Sequence, residues 1–508
     1  MKTSGRQKLL LLGLSAVYGA ALYFFYIKYV PLVGAFQARL VPLLVLAYAV
    51  TVWNVSWGTL FFVFAFPLVN NLPYFFGISE TIPQAPVALV LFLFFFLGWL
   101  HHAALWSSVP GASGRVFRPI VLFSLVVCLS AAVTFLRFAD FYPLRGSGIY
   151  EWITNAFGVS AGGAIMSVIF NSLTYLTGFA FFFIFGQSAP SGRFIGKVIA
   201  AMGAGALLSM AFGVYQHLGD VTLGNNATSI SLNLVNATFK DALSFGAYLS
   251  IIVPFFLGVF LAFKGILRWM SLVLILLAGY SLLNTGSKSA FLSMGLSTGV
   301  FALFSLKKGL AIWRRRSASR RRKLLAAAAV ALIVAGGALA LFMSVAPRAE
   351  RLEKPATLTR LKNFFPMLQE RTDKLWKIAL LMMKDYPLSG VGAGAYIIES
   401  SNYAKALDVD IGVPQSAENL ILHIGSEFGL PGVLLFVWIL WEMVKICRKA
   451  RFEDSGGDGG MFLFWGAVAA AVSFLINAQS HTYIGSYEIQ YLFWLMMGMI
   501  VLASRREG

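Results

Sequence analysis

Glu418 and Asn419 stand side by side near the end of a long polar stretch, and a few basic residues sit at the margins of long apolar runs. A carboxylate in a partly dry cleft has a raised pKa and suits a base that takes a proton from a hydroxyl near neutral pH. Glu418 is the first candidate for that task and Asp241 the second. Lys288 is the only charge between two apolar runs. Cations at such a position are costly and persist mainly for function. Lys240, Lys288 and Arg371 can hold an anion and stabilise negative charge that builds on a leaving group, and Arg360 adds a cation to the segment that carries Arg371. Plainer readings stand beside these: Lys288 snorkelling to headgroups, and Glu418 as a helix-start residue favoured by the dipole. Glu427 reads as structural.

Gly390, Gly392 and Gly394 invite a phosphate-loop reading, but no Gly-Lys-Ser/Thr follows. The series predicts a tight turn whose backbone NH groups can touch phosphate, with Gly392 at its centre. His101, His102, His217, His423 and His481 show no metal-ligand spacing. His423 lies four residues before Glu427 on one helix face, which fits a hydrogen-bonded contact. No nucleotide, haem or flavin motif is seen, so neither cofactor nor metal is expected. Asn226 opens a glycosylation sequon by pattern only.

These residues must be positioned by membrane-spanning helices. The chain has 508 residues, 58% hydrophobic and 12% charged, whereas a soluble domain is about 25% charged. Apolar runs near 9–29, 40–54, 57–74, 86–106, 117–138, 162–186, 195–217, 243–263, 269–285, 289–306, 324–345, 429–446, 461–478 and 487–503 are candidates to cross roughly 30 Å of hydrocarbon. The fold class is all-α and polytopic, with about 14 transmembrane helices (12–14). Basic residues fall in alternate loops, from Lys2, Arg6 and Lys8 through the run Lys307–Lys323 to Arg505 and Arg506. The positive-inside rule therefore puts both termini in the cytoplasm. The net charge of +19 belongs to these flanking loops, so no nucleic-acid partner is expected and membrane lipids are. Cys128 and Cys447 predict no disulfide, and Leu9–Ile27 reads as an uncleaved first helix.

One outside loop is long, Ala346–Phe428. Leu361, Phe364, Phe365, Leu368, Leu375, Ile378, Leu381 and Met382 recur near a helical period. Pro387 and the glycines end that helix, and a second is expected from near Ser416 through Glu427. The hairpin either roofs a cavity or packs on the bundle as an interfacial element. The chain divides into N-terminal transmembrane helices (1–217), a transmembrane core with outer-face basic residues (218–345), the helical loop (346–428) and C-terminal transmembrane helices (429–508).

Three segments together resemble the O-antigen ligase/polymerase family. The first is R-x4-W-x10-PLxGVGAG, here Arg371, Trp376 and Pro387–Gly394, followed by Glu418-Asn419 and by ExGLxG at Glu427–Gly432. The others are NATFKDALSFGAYL at 236–249 and TGSKSAFL at 285–292. The chain departs from the family's pattern in having Glu418 where a His usually precedes Asn, Lys288 where the turn usually has Arg, and Ala242-Leu243 where Pro-Asn is usual.

The resemblance implies a GT-C-like membrane glycosyltransferase with a periplasmic active site in a bacterial inner membrane. It would move a glycan from undecaprenyl pyrophosphate to an acceptor sugar, with inversion and without metal. Glu418 would activate the acceptor hydroxyl, Asp241 being the other candidate. Lys240, Lys288, Arg371, Arg360, Asn419 and Gly392 would bind substrate. Replacement of the His-Asn pair favours a polymerase of O-antigen or exopolysaccharide over a ligase that joins glycan to lipid A-core. A lipid-linked sugar transporter or flippase shares the helices and basic residues but often has two related halves, and none are seen.

Overall fold

A computed structural model describes residues 5–29, 34–72, 86–106, 116–139, 161–188, 192–219, 222–225, 227–313, 369–370, 372–411, 416–450, 459–483 and 485–505. Among these residues there is no strand. The helices are α1 (Gly5–Tyr29), α2 (Gly34–Trp53), α3 (Val55–Ala65), α4 (Val87–Leu105), α5 (Phe117–Ala139), α6 (Ala161–Ser188), α7 (Gly192–Leu218), the short α8 (Ala227–Ser231), α9 (Ala242–Ala262), α10 (Ile266–Asn284), α11 (Lys288–Trp313), α12 (Lys377–Asp385), α13 (Ala395–Ala406), α14 (Leu420–Lys449), α15 (Gly459–Asn477) and α16 (Tyr487–Arg505).

Among the described residues, nine helices are long and apolar enough to cross a membrane. They coincide with nine of the fourteen apolar runs, those near 86–106, 117–138, 162–186, 195–217, 243–263, 269–285, 429–446, 461–478 and 487–503. The protein is therefore an all-helical, multi-pass membrane protein. Of the run 57–74, the helix ends at Ala65 and residues 66–71 continue in turns, because Pro67 cannot extend the ladder. The run 324–345, the basic residues after Trp313 and the loop's first part, 346–368, lie outside the described residues.

The chain forms two compact units whose segments interleave in sequence. The first takes in Met1–Gly205, Glu370–Met443 and His481–Gln490; the second takes in Ala206–Gln369, Val444–Ser480 and Tyr491–Gly508. In the first, Phe62 is fully buried and meets Phe95 in a stack at 5.1 Å and the edges of Phe92 and Phe181. Offset and edge-on geometry of this kind adds to simple burial. In the second, α9 is buried along nearly its whole length. A Cβ on Gly258 would come within 2.5 Å of the Phe462 carbonyl oxygen and 2.9 Å of Gly466 Cα. Two glycines thus let α9 and α15 approach backbone to backbone, and Ser473 Oγ donates to the Ser250 carbonyl at 2.8 Å. In lipid such close packing and hydrogen bonding replace the hydrophobic drive as the glue between helices.

Candidate functional site

In the first unit the site grows from a glycine turn and a helix start. After α12 the chain turns through Gly390 (φ +63°), Gly392 (φ +112°) and Gly394 (φ +71°). Val391 N donates to the Ser426 carbonyl at 2.7 Å, Gly392 N to the Glu427 carbonyl at 3.1 Å, and Ala393 N to Ser130 Oγ at 2.9 Å. These NH groups pin the turn to α14 and α5. Gly392, expected at a phosphate-binding turn, donates its own NH inward. Arg137, at the end of α5, donates to the Val391 carbonyl at 3.2 Å and pairs with Glu399 of α13.

The turn leads into α13, a helix the sequence reading left out. Its Ala395, Tyr396 and Ala404 pack with Ile378, Ala379 and Met382 of α12 and with Val391 and Ala417. Tyr396 donates to the Leu375 carbonyl at 3.0 Å. Burial, and next the charges of Glu418 and Glu427, push its hydroxyl well above the ordinary range, so it stays a donor.

The second loop helix starts later than expected, at Leu420 rather than near Ser416. Asn419 is the reason. Its Oδ1 accepts from Ile421 N and Leu422 N, both at 3.1 Å, and so caps α14. Glu418 precedes the cap in a left-handed conformation, φ +50°, and is not part of the helix. Asn419→Ala is expected to destabilise the protein by about 1 kcal/mol, with Asn419→Asp retaining most of it, as read by thermal denaturation of purified protein. α14 then runs past Gly429 (φ +65°) as a kinked helix, so the loop's last helix and the following membrane span are one element. Within it His423 Nε2 lies 3.3 Å from Glu427 Oε1, both fully buried, but the geometry makes no hydrogen bond, so the pair is close without the hydrogen bond expected of it.

The Glu418 side chain is only 7% exposed. Its Oε1 accepts from Ser416 Oγ at 3.2 Å, and its Oε2 is 2.7 Å from Nδ1 of His481. Thr482 Oγ1 donates to Ser416 Oγ at 2.8 Å, a second tie between the same two segments. The His481 ring meets the edge of Tyr483 at 4.6 Å. The turn before α16 is anchored by Tyr487, whose hydroxyl donates to the Phe170 carbonyl at 2.7 Å. His481 is the partner of Glu418 that sequence reasoning missed. Its one signal is its place between the apolar runs 461–478 and 487–503, in a loop that the alternation of basic loops puts on the same membrane face as Ala346–Phe428.

The second unit carries Lys240, Asp241 and Lys288. Ahead of α9 the backbone is irregular, and buried amides satisfy it. Gln216 Oε1 accepts from Ala237 N at 2.7 Å and its Nε2 donates to the Leu223 carbonyl at 2.8 Å. Asn236 Nδ2 donates to the Phe239 carbonyl at 2.9 Å. Asp241 caps α9, accepting from Ser244 N at 2.7 Å. Val235 N donates to the Asn284 carbonyl at 3.0 Å, and a Cβ on Gly246 would meet Ser287 Cβ at 2.6 Å. The segment carrying Lys240 and the turn carrying Lys288 are thereby packed together. Lys240 is exposed just before α9, and Lys288 is half-buried at the first position of α11. A cation at a helix N-terminus opposes the dipole. Lys240 and Lys288 thus lie beside two neighbouring helix starts, that of α9 being already capped by the Asp241 carboxylate. Arg360 and Arg371 lie outside the described residues.

No curated protein matches the chain significantly in sequence. Residues 272–437 match the family described as O-antigen ligase. The match runs from within α10 into α14 and takes in Lys288, Gly392, Glu418 and Asn419, with Lys240, Asp241 and His481 outside it. Residues 272–437, about a third of the chain, thus form a domain similar to the O-antigen ligase family.

Proposed function

We propose that this membrane protein is a glycan polymerase that passes a growing glycan from undecaprenyl pyrophosphate to an acceptor sugar at the periplasmic face of the inner membrane. The observation that carries the reading is the buried Glu418 carboxylate, hydrogen-bonded to an imidazole and lying within the family's domain. The acceptor oxygen attacks the anomeric carbon as the bond to the pyrophosphate oxygen breaks. The leaving group departs with the electron pair, and the acceptor's proton passes to the Glu418–His481 pair. A single displacement inverts the anomeric configuration. Lys240 and Lys288, with Arg371, hold the pyrophosphate and stabilise its developing charge, so no metal or nucleotide is needed.

A second reading, a ligase with lipid A-core as acceptor, is favoured by the description of the matched family. Purified protein in nanodiscs, given a lipid-pyrophosphate glycan and EDTA, separates the readings. Glycan lengthening on lipid supports the polymerase, and transfer only when lipid A-core is added supports the ligase. Movement of lipid across vesicles without transfer overturns both in favour of a transporter. In the same assay Lys288→Ala is expected to raise the donor KM by about 10- to 100-fold, the worth of a charged hydrogen bond. Lys288→Arg should recover most of it.

A further inference from the structure

We infer that the proton acceptor is Nε2 of His481, and that Glu418 is the positioning residue that sets its tautomer. The inference rests on the transfer reading above and names the atom within it. An ionised carboxylate only accepts hydrogen bonds, so at 2.7 Å from Glu418 Oε2 the His481 Nδ1 must carry the ring proton. The lone pair then lies on Nε2, at the far side of the ring from Glu418.

Exposure divides the two groups in the same sense. The Glu418 side chain is 7% exposed and that of His481 27%. The carboxylate is held by Ser416, and the imidazole is the member of the pair with surface to offer a hydroxyl. The Thr482–Ser416 bond keeps the ring in register even though the residues of the pair are 63 positions apart. Glu418 itself is held at φ +50°, a conformation that costs a non-glycine residue about 1–2 kcal/mol, and the surroundings keep it there.

The proton balance is simple. The acceptor O–H bond breaks as the new C–O bond forms, and the proton binds Nε2. The resulting imidazolium is neutralised by the adjacent carboxylate, which remains ionised. Water recovers the proton after product leaves. Tyr396 faces Glu418 from α13 and Tyr483 faces the ring from its own turn.

Two readouts on full-length protein test this. In pH–rate profiles, wild-type kcat falls at acid pH on a histidine limb. Glu418→Gln moves that limb to lower pH, because the charge favouring imidazolium is gone, and lowers kcat with little change in acceptor KM. His481→Gln lowers kcat about 100-fold or more. Nitrogen NMR of histidine-labelled protein in nanodiscs, with His481→Gln assigning the signal, reads the tautomer without turnover. The expected result is Nδ1–H in wild type and its loss in Glu418→Gln. An Nε2–H ring in wild type, or full transfer by His481→Gln, overturns the inference. Should wild type transfer nothing to any acceptor, the function reading fails while the NMR still decides the pair.

Discussion

Glu418→Gln lowers the rate of glycan transfer by about a hundredfold to ten-thousandfold, the range a positioned acid–base system contributes. The substitution preserves size and leaves the amide oxygen able to accept from Ser416 Oγ, 3.2 Å away in the native protein. What changes is the partner offered to His481. An amide NH2 donates to Nδ1, and the ring proton then moves to Nε2, where the acceptor hydroxyl needs a lone pair. The ring is present but in the wrong tautomer. Initial rates with saturating donor and acceptor measure the loss, and a thermal denaturation midpoint near that of wild type shows that the fold is kept. A rate within about fivefold of wild type would remove Glu418 from the mechanism.

The second large effect is structural. Gly392→Ala destabilises the first unit by roughly 2–5 kcal/mol, from left-handed strain and overpacking together. An added Cβ would stand 2.1 Å from Thr134 Oγ1, with the backbone at φ +112°. Thr134 cannot easily swing aside, because its hydroxyl donates to the Ser130 carbonyl at 2.7 Å within α5. Thr134→Ala on the same chain relieves the clash and leaves the backbone strain. A double-mutant cycle read by denaturation should therefore recover part of the loss, with a coupling of about 1–3 kcal/mol. Additive losses would mean that the two residues do not meet.

Much of the fold was legible because a membrane span is a local property. Val87–Leu105 or Ala242–Ala262 declares itself by an unbroken apolar run. The glycine turn was legible too, since Pro387 and three alternating glycines permit little else. α13 was not. Its buried face is Ala395, Tyr396, Ser400 and Ala404, two alanines, a serine and one aromatic, which gives almost no hydrophobic period. The start of α14 was placed too early because Ser416 and Glu418 look like a helix N-terminus. The Asn419 side chain makes the cap, and that choice is set by backbone geometry. Glu418, Asn419 and the lysines were legible as chemistry-bearing residues from their types and the segments around them. His481 could not be linked to Glu418, because a contact across 63 positions leaves no pattern in spacing.

That separation has a consequence for the protein while it is being made. At about 5–20 residues per second a ribosome needs roughly 3–13 s to add the residues between Glu418 and His481. Within that interval the matched family domain, which ends at 437, is completed, and α15 is added, both before His481. A nascent chain at this stage holds the carboxylate without its imidazole. By the proposed mechanism it cannot yet transfer glycan. If His481 takes the proton as inferred above, a transcript cut short before Gln479 is expected to yield a protein without transfer activity.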